Sequence, residues 1–425
     1  MLALAVLLGT GCAINPATQR PVVLALTERE ESDMGRAGLA VLSVSPGLWV
    51  DDVVTPQVQR LGAKVGSIAP GPSLSYEFYV LDTDEKNAFA LPGGYVFISR
   101  GLLAILESED ELVAALAHEV GHVAARHASR RAVLYQGYEW VNDATQAVAE
   151  LFDLDVAQSD GFMSRALASH SRSQELEADR IGVVLAVSLG YDGTALADLL
   201  TRLETDTAPS DSILDTHPST PERRRLIQAF APQLAPGPGR PELTRDSFVR
   251  QLDGLPMGPS AALGQLANSR YYAPGLTYTA QFPPDWDVKL SLDGPVASAP
   301  DWQALISIYD ATGSIPPEGT SRTLGDHRIF MRIDDGMQSQ RVRITVGGRD
   351  LEVAGLWSGS GYESLFDSVV LSLKAPKCDE PVVIPTLVIE IQTVHETLAR
   401  RIVERDTATT PSHCAPPASE ELSSW

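Results

Sequence analysis

Residues 108–123 read SEDELVAALAHEVGHV, and the stretch His118-Glu119-Val120-Gly121-His122 within it decides how the chain is understood. Ser108 followed by Glu111 is a capping box that opens a helix. Leu112, Leu116, Val120 and Val123 then recur at helical spacing. On that helix His118 and His122 lie one turn apart on one face, where two neutral imidazoles can share one Zn²⁺. Glu119 sits about 100° further round, beside the metal without pointing at it. A carboxylate there can take a proton from a zinc-bound water, because zinc lowers the pKa of that water to about 7.

A catalytic zinc takes three protein ligands and keeps one position open. His127, nine residues on, falls on the helix face opposite His118 and is a surface residue. The longer signature with a third histidine would need it at position 128, which is Ala128. The remaining source is Ser171-Arg172-Ser173-Gln174-Glu175-Leu176-Glu177-Ala178-Asp179. Glu175 and Asp179 are four apart and share a helix face. One can ligate zinc while the other accepts the N–H of a zinc-bound histidine and fixes its tautomer. Glu177, about 200° away, faces elsewhere. Spacing does not choose between a metal-binding face and a solvated acidic one.

Working outward, 33 basic against 55 acidic residues give a net charge of −22, which argues against nucleic acid as a partner. Hydrophobic residues at 44% fit a globular chain. Three cysteines are too few for a disulfide scaffold. Residues 1–12 end an apolar run with Gly11-Cys12, which resembles a lipoprotein signal peptide with Cys12 as the lipidated residue. The alternative is an ordinary N-terminal strand. Lipidation implies a lipid anchor at the periplasmic face of the bacterial envelope, and Ala13 in the next position favours the outer membrane. Cys378 and Cys414 can pair in such a compartment, but spacing does not establish it.

Residues 25–234 are rich in helical patterns, and Ala235-Pro236-Gly237-Pro238-Gly239 reads as a linker. Strand-like runs follow at Leu276–Phe282, Ala304–Tyr309 and Arg341–Val346, with a helix at 362–374, so 241–378 reads as a smaller α/β domain. A strand at Val382–Val394 and a helix over Glu396–Asp406 make a strand-helix extension at 379–406. Residues 407–425 have the composition of a disordered tail. The whole is an α+β chain: a mainly helical domain with a small sheet, then the α/β domain.

HExxH followed some fifty residues later by SRxxExEADxxG resembles the zinc peptidases of the CAAX prenyl protease and HtpX family, and most of all their periplasmic BepA-like branch. Asn87–Gly94 (NAFALPGG), Thr216-His217-Pro218 and Pro221-Glu222-Arg223 match further family motifs, and the likeness covers about residues 25–230. The resemblance implies a zincin-like (minigluzincin) fold and one Zn²⁺ per chain on His118, His122 and Glu175. It implies Glu119 as catalytic base and Asp179 behind a ligand. His217 would stabilise the oxyanion or fill the open zinc position as an off-switch. The segment Gly93, Gly94, Tyr95, Val96, Phe97 and Ile98 would be an edge strand to which a substrate adds as an extra strand. Residues 136–170 would cover the cleft. The helical repeats of the BepA-like branch are missing, and Tyr271–Leu276 with Phe282–Trp286 instead resemble PsbP-like domains. His327, His395 and His413 show no ligand spacing. The expected function is zinc endopeptidase action on misfolded or unassembled envelope proteins. The competing one is a zinc-stabilised chaperone that rarely cuts.

Overall fold

The computed structural model describes residues 12–14, 21–23, 26–71, 74–129, 170–205, 217, 221–238, 244–258, 260, 263–291, 294–311, 320–334, 337–377, 382–394 and 397–409. The expected signal segment before Cys12, the cleft cover at 136–169, Cys378, Cys414, His395, His413 and the tail from 410 lie outside them. The architecture is α+β. By its contacts the chain divides into Met1–Met257 with Val388–Val403, and Gly258–Leu387 with Glu404–Trp425.

In the first unit, strands β1 (Cys12–Ile14) and β2 (Pro21–Val23) pair antiparallel. Helix α1 (Glu28–Leu42) starts at a full capping box between Thr27 and Glu30, and α2 is Val54–Ser67. A three-stranded sheet follows, in the order β3 (Glu77–Leu81), β5 (Tyr95–Ser99), β4 (Ala88–Leu91). The expected edge strand is therefore the central one. Tyr95, Val96 and Phe97 pair in parallel with Glu77, Phe78 and Tyr79 on one side and antiparallel with Leu91, Ala90 and Phe89 on the other. Gly93 and Gly94 precede it in a 3₁₀ turn. A central strand has no free backbone groups for a substrate. The outer edge of β3 is also taken, by Trp49 N–H to Val80 O at 2.8 Å and Asp82 N–H to Gly47 O at 3.0 Å. The edge with no strand partner among the described residues belongs to β4.

The short helix α3 (Arg100–Ile105) leads to α4 (Glu109–Ala124), the motif helix, which is buried along nearly its whole length. Leu112, Leu116 and Val120 join Val58, Leu61, Val96, Ile98, Ile181 and Leu185 in one apolar core. Ser108 accepts from Glu111 N–H, as the capping pattern requires, but the Glu111 carboxylate turns back to Glu107 N–H and to Arg202, so half the box forms. Helices α5 (Arg172–Ser188), α6 (Ala195–Thr205), α7 (Pro221–Phe230) and α8 (Arg245–Arg250) complete the unit. The Pro/Gly stretch expected as a linker packs inside it: Gly237 N–H donates to Val187 O at 2.8 Å, and the division by contacts falls after Met257.

The second unit has a small sheet of β6 (Gln265–Ala267), β7 (Arg270–Tyr272) and β8 (Thr279–Gln281). Its main sheet is antiparallel throughout, built from β9 (Asp287–Ser291), β10 (Gly294–Ser298), β11 (Ala304–Asp310), β12 (Thr320–Leu324), β13 (His327–Asp334), β14 (Met337–Val346) and β15 (Arg349–Ser358) in the order β12-β13-β14-β15-β11-β10-β9. Helix α9 (Tyr362–Ser372) buries Phe366, Val369 and Val370 in a core with Trp357 and Ile306. A further pair, β16 (Val382–Val394) with β17 (Thr397–Thr409), falls across the division, with Val388–Val403 in the first unit. The helix expected over Glu396–Asp406 is thus a strand, and residues 407–409 of the expected tail extend it. Thr397, Ile402, Val403, Thr407 and Thr409 are β-branched and suit a strand, and Leu398 and Ile389, which belong to the first unit, enter its core.

Candidate active site

Two helices build the site by crossing closely. A methyl group at Gly121 would lie 2.7 Å from the carbonyl oxygen of Ala178, and one at Gly182 would lie 3.0 Å from the backbone nitrogen of His118. Glycine at both positions lets α4 and α5 meet backbone to backbone. That approach sets Glu175 and Asp179 against the histidine face of α4. The N-terminus of α5 is fixed by a full capping box between Ser171 and Gln174.

His118, His122, Glu175 and His217 offer four ligand atoms within 4.8 Å of one another, all buried. His118 Nε2 is 3.1 Å from His122 Nε2 and 3.4 Å from His217 Nδ1. Glu175 lies 3.5 Å from His118 Nε2, 3.4 Å from His122 Nε2 and 3.1 Å from His217 Nδ1. Three imidazoles and a carboxylate that turn lone pairs toward one point suit a divalent cation of borderline softness. Asp179 sits behind His118, with Oδ1 3.0 Å from Nδ1. Glu119 lies beside the cluster: its Oε1 is 3.7 Å from His217 Nε2, and neither of its oxygens has a hydrogen-bond partner although both are buried. A buried carboxyl without partners is costly unless something is meant to meet it.

Arg223, 1% exposed, supplies the positive charge beneath the acids. Its Nε and Nη2 bind the two Asp179 oxygens at 2.8 and 2.7 Å, and Nη1 reaches Glu175 at 2.6 Å and His217 O at 3.4 Å. The titration behaviour follows. Burial opposes the charge on Glu175, but His217 and the hydrogen bonds from His118, His122 and His217 hold its carboxyl well below the usual range. Burial likewise opposes the charge on Asp179, and Arg223 with His118 holds it low. Burial disfavours a proton on His118, yet Asp179 and Glu175 outweigh it and lift the pKa to about 10. Burial, reinforced by His170, pushes His122 far down. Burial pushes Glu119 up, with His217 and His118 pulling the other way.

Three further residues reach the site although their sequence positions did not suggest it. His127 is fully buried rather than on the surface, because α4 stops at Ala124 and Arg126 takes a left-handed backbone (φ 53°) that folds the chain back. Its Nδ1 meets His122 Nδ1 at 2.9 Å, and its Nε2 meets Glu177 at 3.1 Å, so Glu177 also faces the cluster instead of turning away. No Gly, Pro or Asn marks that helix end, and nothing in the spacing warned of it. His170 stacks its ring on His217 (centroids 4.9 Å apart) and lies 3.9 Å from the His122 ring. It precedes the S-x-x-Q cap of α5, a signal that could have placed it near Glu175. A crevice lined by His122, His170, Ala90, Pro92, Gly93 and Ser129 runs from the cluster to β4, the strand whose outer edge has no strand partner among the described residues.

Comparison with known proteins concerns this unit. Residues 52–231 match the model of Peptidase family M48. The chain is 32% identical over 190 residues to the mitochondrial metalloendopeptidase OMA1 of Schizosaccharomyces pombe, covering 42% of this chain and 53% of that protein. It is 28% identical over 218 residues to the beta-barrel assembly-enhancing protease of Escherichia coli K12, covering 49% and 45%. The protein of the same name from Yersinia pestis is 28% identical over 221 residues, covering 49% and 45%. The chain spans about half the length of these relatives.

Proposed function

We propose that this chain, which carries a peptidase family M48 domain over residues 52–231, is a zinc-dependent endopeptidase that cuts non-native proteins of the bacterial cell envelope. The observation that carries the reading is the pairing of a four-residue ligand cluster with Glu119, a buried carboxyl whose oxygens have no other partner. Zinc held by His118, His122 and Glu175 would lower the pKa of water and polarise a peptide carbonyl. Glu119 then takes the proton from water and delivers it to the leaving amine. Its burial raises its basicity toward the working pH, as a general base requires. Asp179 and Arg223 hold His118 and Glu175 in place. An extended substrate chain would add to the β4 edge that has no strand partner among the described residues, beside the crevice, through backbone hydrogen bonds that demand little of its sequence. The envelope location is supported by the lipoprotein-like stretch ending at Cys12. Among the described residues no helix is long and apolar enough to cross a membrane.

One observation favours a second reading, a zinc-stabilised chaperone with gated proteolysis. His217 lies as close to Glu175 and His118 as a fourth ligand would, so it can close the position a substrate needs. Casein cleavage by the zinc-loaded chain starting at Ala13 separates the two. The endopeptidase reading expects cleavage that Glu119→Gln abolishes while one zinc stays bound. Silence from the parent chain but cleavage by His217→Ala identifies His217 as the gate. Silence from both refutes the enzyme and leaves the chaperone.

A further inference from the structure

We propose that His127 and Glu177 form a positioning relay that holds His122 in the one tautomer able to bind a metal through Nε2. The inference rests on the metal-site reading above and extends it outward by two residues. His122 turns Nε2 toward His118 and Glu175, at 3.1 and 3.4 Å. Its other nitrogen, Nδ1, meets His127 Nδ1 at 2.9 Å. Two imidazole nitrogens at that distance share one hydrogen, so one ring donates and the other accepts. A lone pair on His122 Nε2 requires the hydrogen on its Nδ1, and His127 Nδ1 must then accept it. A neutral His127 accepting at Nδ1 carries its own hydrogen on Nε2. That nitrogen faces Glu177 Oε2 at 3.1 Å, and a carboxylate can only accept. The carboxylate therefore fixes the direction of every hydrogen in the chain, from Glu177 back to the ligand.

The two histidine ligands are supported differently. His118 has a carboxylate, Asp179, directly at Nδ1, 3.0 Å away. His122 has a neutral imidazole in between. His127 is fully buried, so water cannot take its place. The left-handed Arg126 is the device that brings it there: the chain leaves α4 at Ala125 and returns one residue later beneath His122. An imidazole in that position fixes the ring plane of His122 as well as its tautomer, since both ends of His127 are hydrogen-bonded.

The test is zinc affinity of the full chain, by competition with a chromogenic chelator, for the parent, His127→Phe, His127→Gln and Glu177→Ala. Outer partners of a metal-bound histidine are worth about 10- to 100-fold in affinity. His127→Phe keeps a ring and loses the acceptor, so it is expected to weaken zinc binding by that amount. His127→Gln offers an amide oxygen to His122 Nδ1 and is expected to recover most of it. Glu177, with 21% of its side chain exposed, can be replaced without threatening the fold, and Glu177→Ala is expected to weaken binding several-fold even if the Phe variant does not fold. The visible bands of the cobalt-loaded protein should shift in His127→Phe and return toward the parent in His127→Gln. The relay is overturned if the parent binds one zinc and Phe and Ala variants bind it within twofold of the parent, or if Gln is as weak as Phe. Two zinc ions per chain would overturn it too, since His122 Nδ1, His127 and His170 would then be ligands themselves. A parent chain that binds no zinc refutes the metal-site reading and the relay with it.

Discussion

Replacing Gly121 by Ala tests whether the crossing of α4 and α5 sets the site. The added methyl carbon would stand 2.7 Å from Ala178 O, about 0.7 Å short of the 3.4 Å at which ordinary contact begins. The obstacle is backbone on both sides, so no side chain can swing away and the helices must part. Ala gains about 1 kcal/mol over Gly in helix propensity. Overpacking costs about 1–3 kcal/mol. The net loss of stability is therefore small, about 0–2 kcal/mol. The functional cost is larger, because the separation falls one turn from Glu175, whose oxygens lie 3.4–3.5 Å from the two histidine nitrogens. A misplacement approaching 1 Å costs about 100-fold in rate. The expected result is a midpoint of urea unfolding lowered modestly, with kcat/KM on casein down at least ~10-fold and zinc affinity down in parallel. If the purified parent is silent, the same comparison is made in a His217→Ala background. A Gly121→Ala protein with kcat/KM and zinc affinity within twofold of its parent would refute the claim that the glycine seam positions the ligands.

Arg223→Met leaves two buried carboxylates facing each other without their cation. Removing one partner of a buried ion pair costs about 3–5 kcal/mol, so urea unfolding should show a loss of that size, while Arg225→Met at an exposed position of the same helix should change stability by under ~1 kcal/mol. Leu398→Ala removes a 4%-exposed side chain from the core of the first unit and should cost about 2–5 kcal/mol; an unchanged melting temperature would show that β17 only rests on the surface. In the second unit burial raises Tyr271 to about 12 and raises Tyr278 likewise. Tyrosines harder to ionise when folded contribute stability fully below pH ~10, and that contribution is lost as pH climbs toward 12. Urea unfolding between pH 9 and 12, followed by tryptophan fluorescence, should show this alkaline limb, and Tyr278→Phe should flatten it.

How legible was this in the sequence? Where a local rule acts alone, the chain could be read directly. The period of Leu112, Leu116 and Val120 gave α4, and β16 runs over the very residues, Val382–Val394, that read as a strand-like run. The helix expected at 362–374 is α9, Tyr362–Ser372. Misreadings arose where tertiary pairing overrides local pattern. Glu396–Asp406 has helix-forming residues, but β16 offers thirteen residues of backbone to pair with, and pairing won. Tyr95–Phe97 was expected at a sheet edge from the family resemblance alone, yet strand order in a mixed sheet is set by long-range packing that alternation cannot encode. At the site, HExxH and ExEAD were visible, since their spacing is fixed by one helix each. His127, Glu177 and Arg223 were not visible in their roles. Each reaches the cluster from beyond a helix end, from the far side of a helix or from another helix, and periodicity says nothing across such breaks.

Arg223 shows why that invisible shell matters. Glu175 and Asp179 are both held ionised, and each is 4% exposed or less. A single guanidinium cannot balance two carboxylates, so the acids draw further positive charge from the histidines beside them. Burying a net charge is expensive enough that proteins neutralise it by pairing, by protonation or by a metal ion. Asp179 and Glu175 favour positive charge on His118 against its burial. Its Nε2 points into the four-ligand cluster, where a divalent cation would supply that charge. The same acids thus draw a cation to the histidines and, through Asp179, keep His118 turned to receive it. Adding a second cation behind the acids would weaken that attraction, and removing Asp179 would also release His118. An HExxH helix without this counter-charge would be a pattern without a metal site.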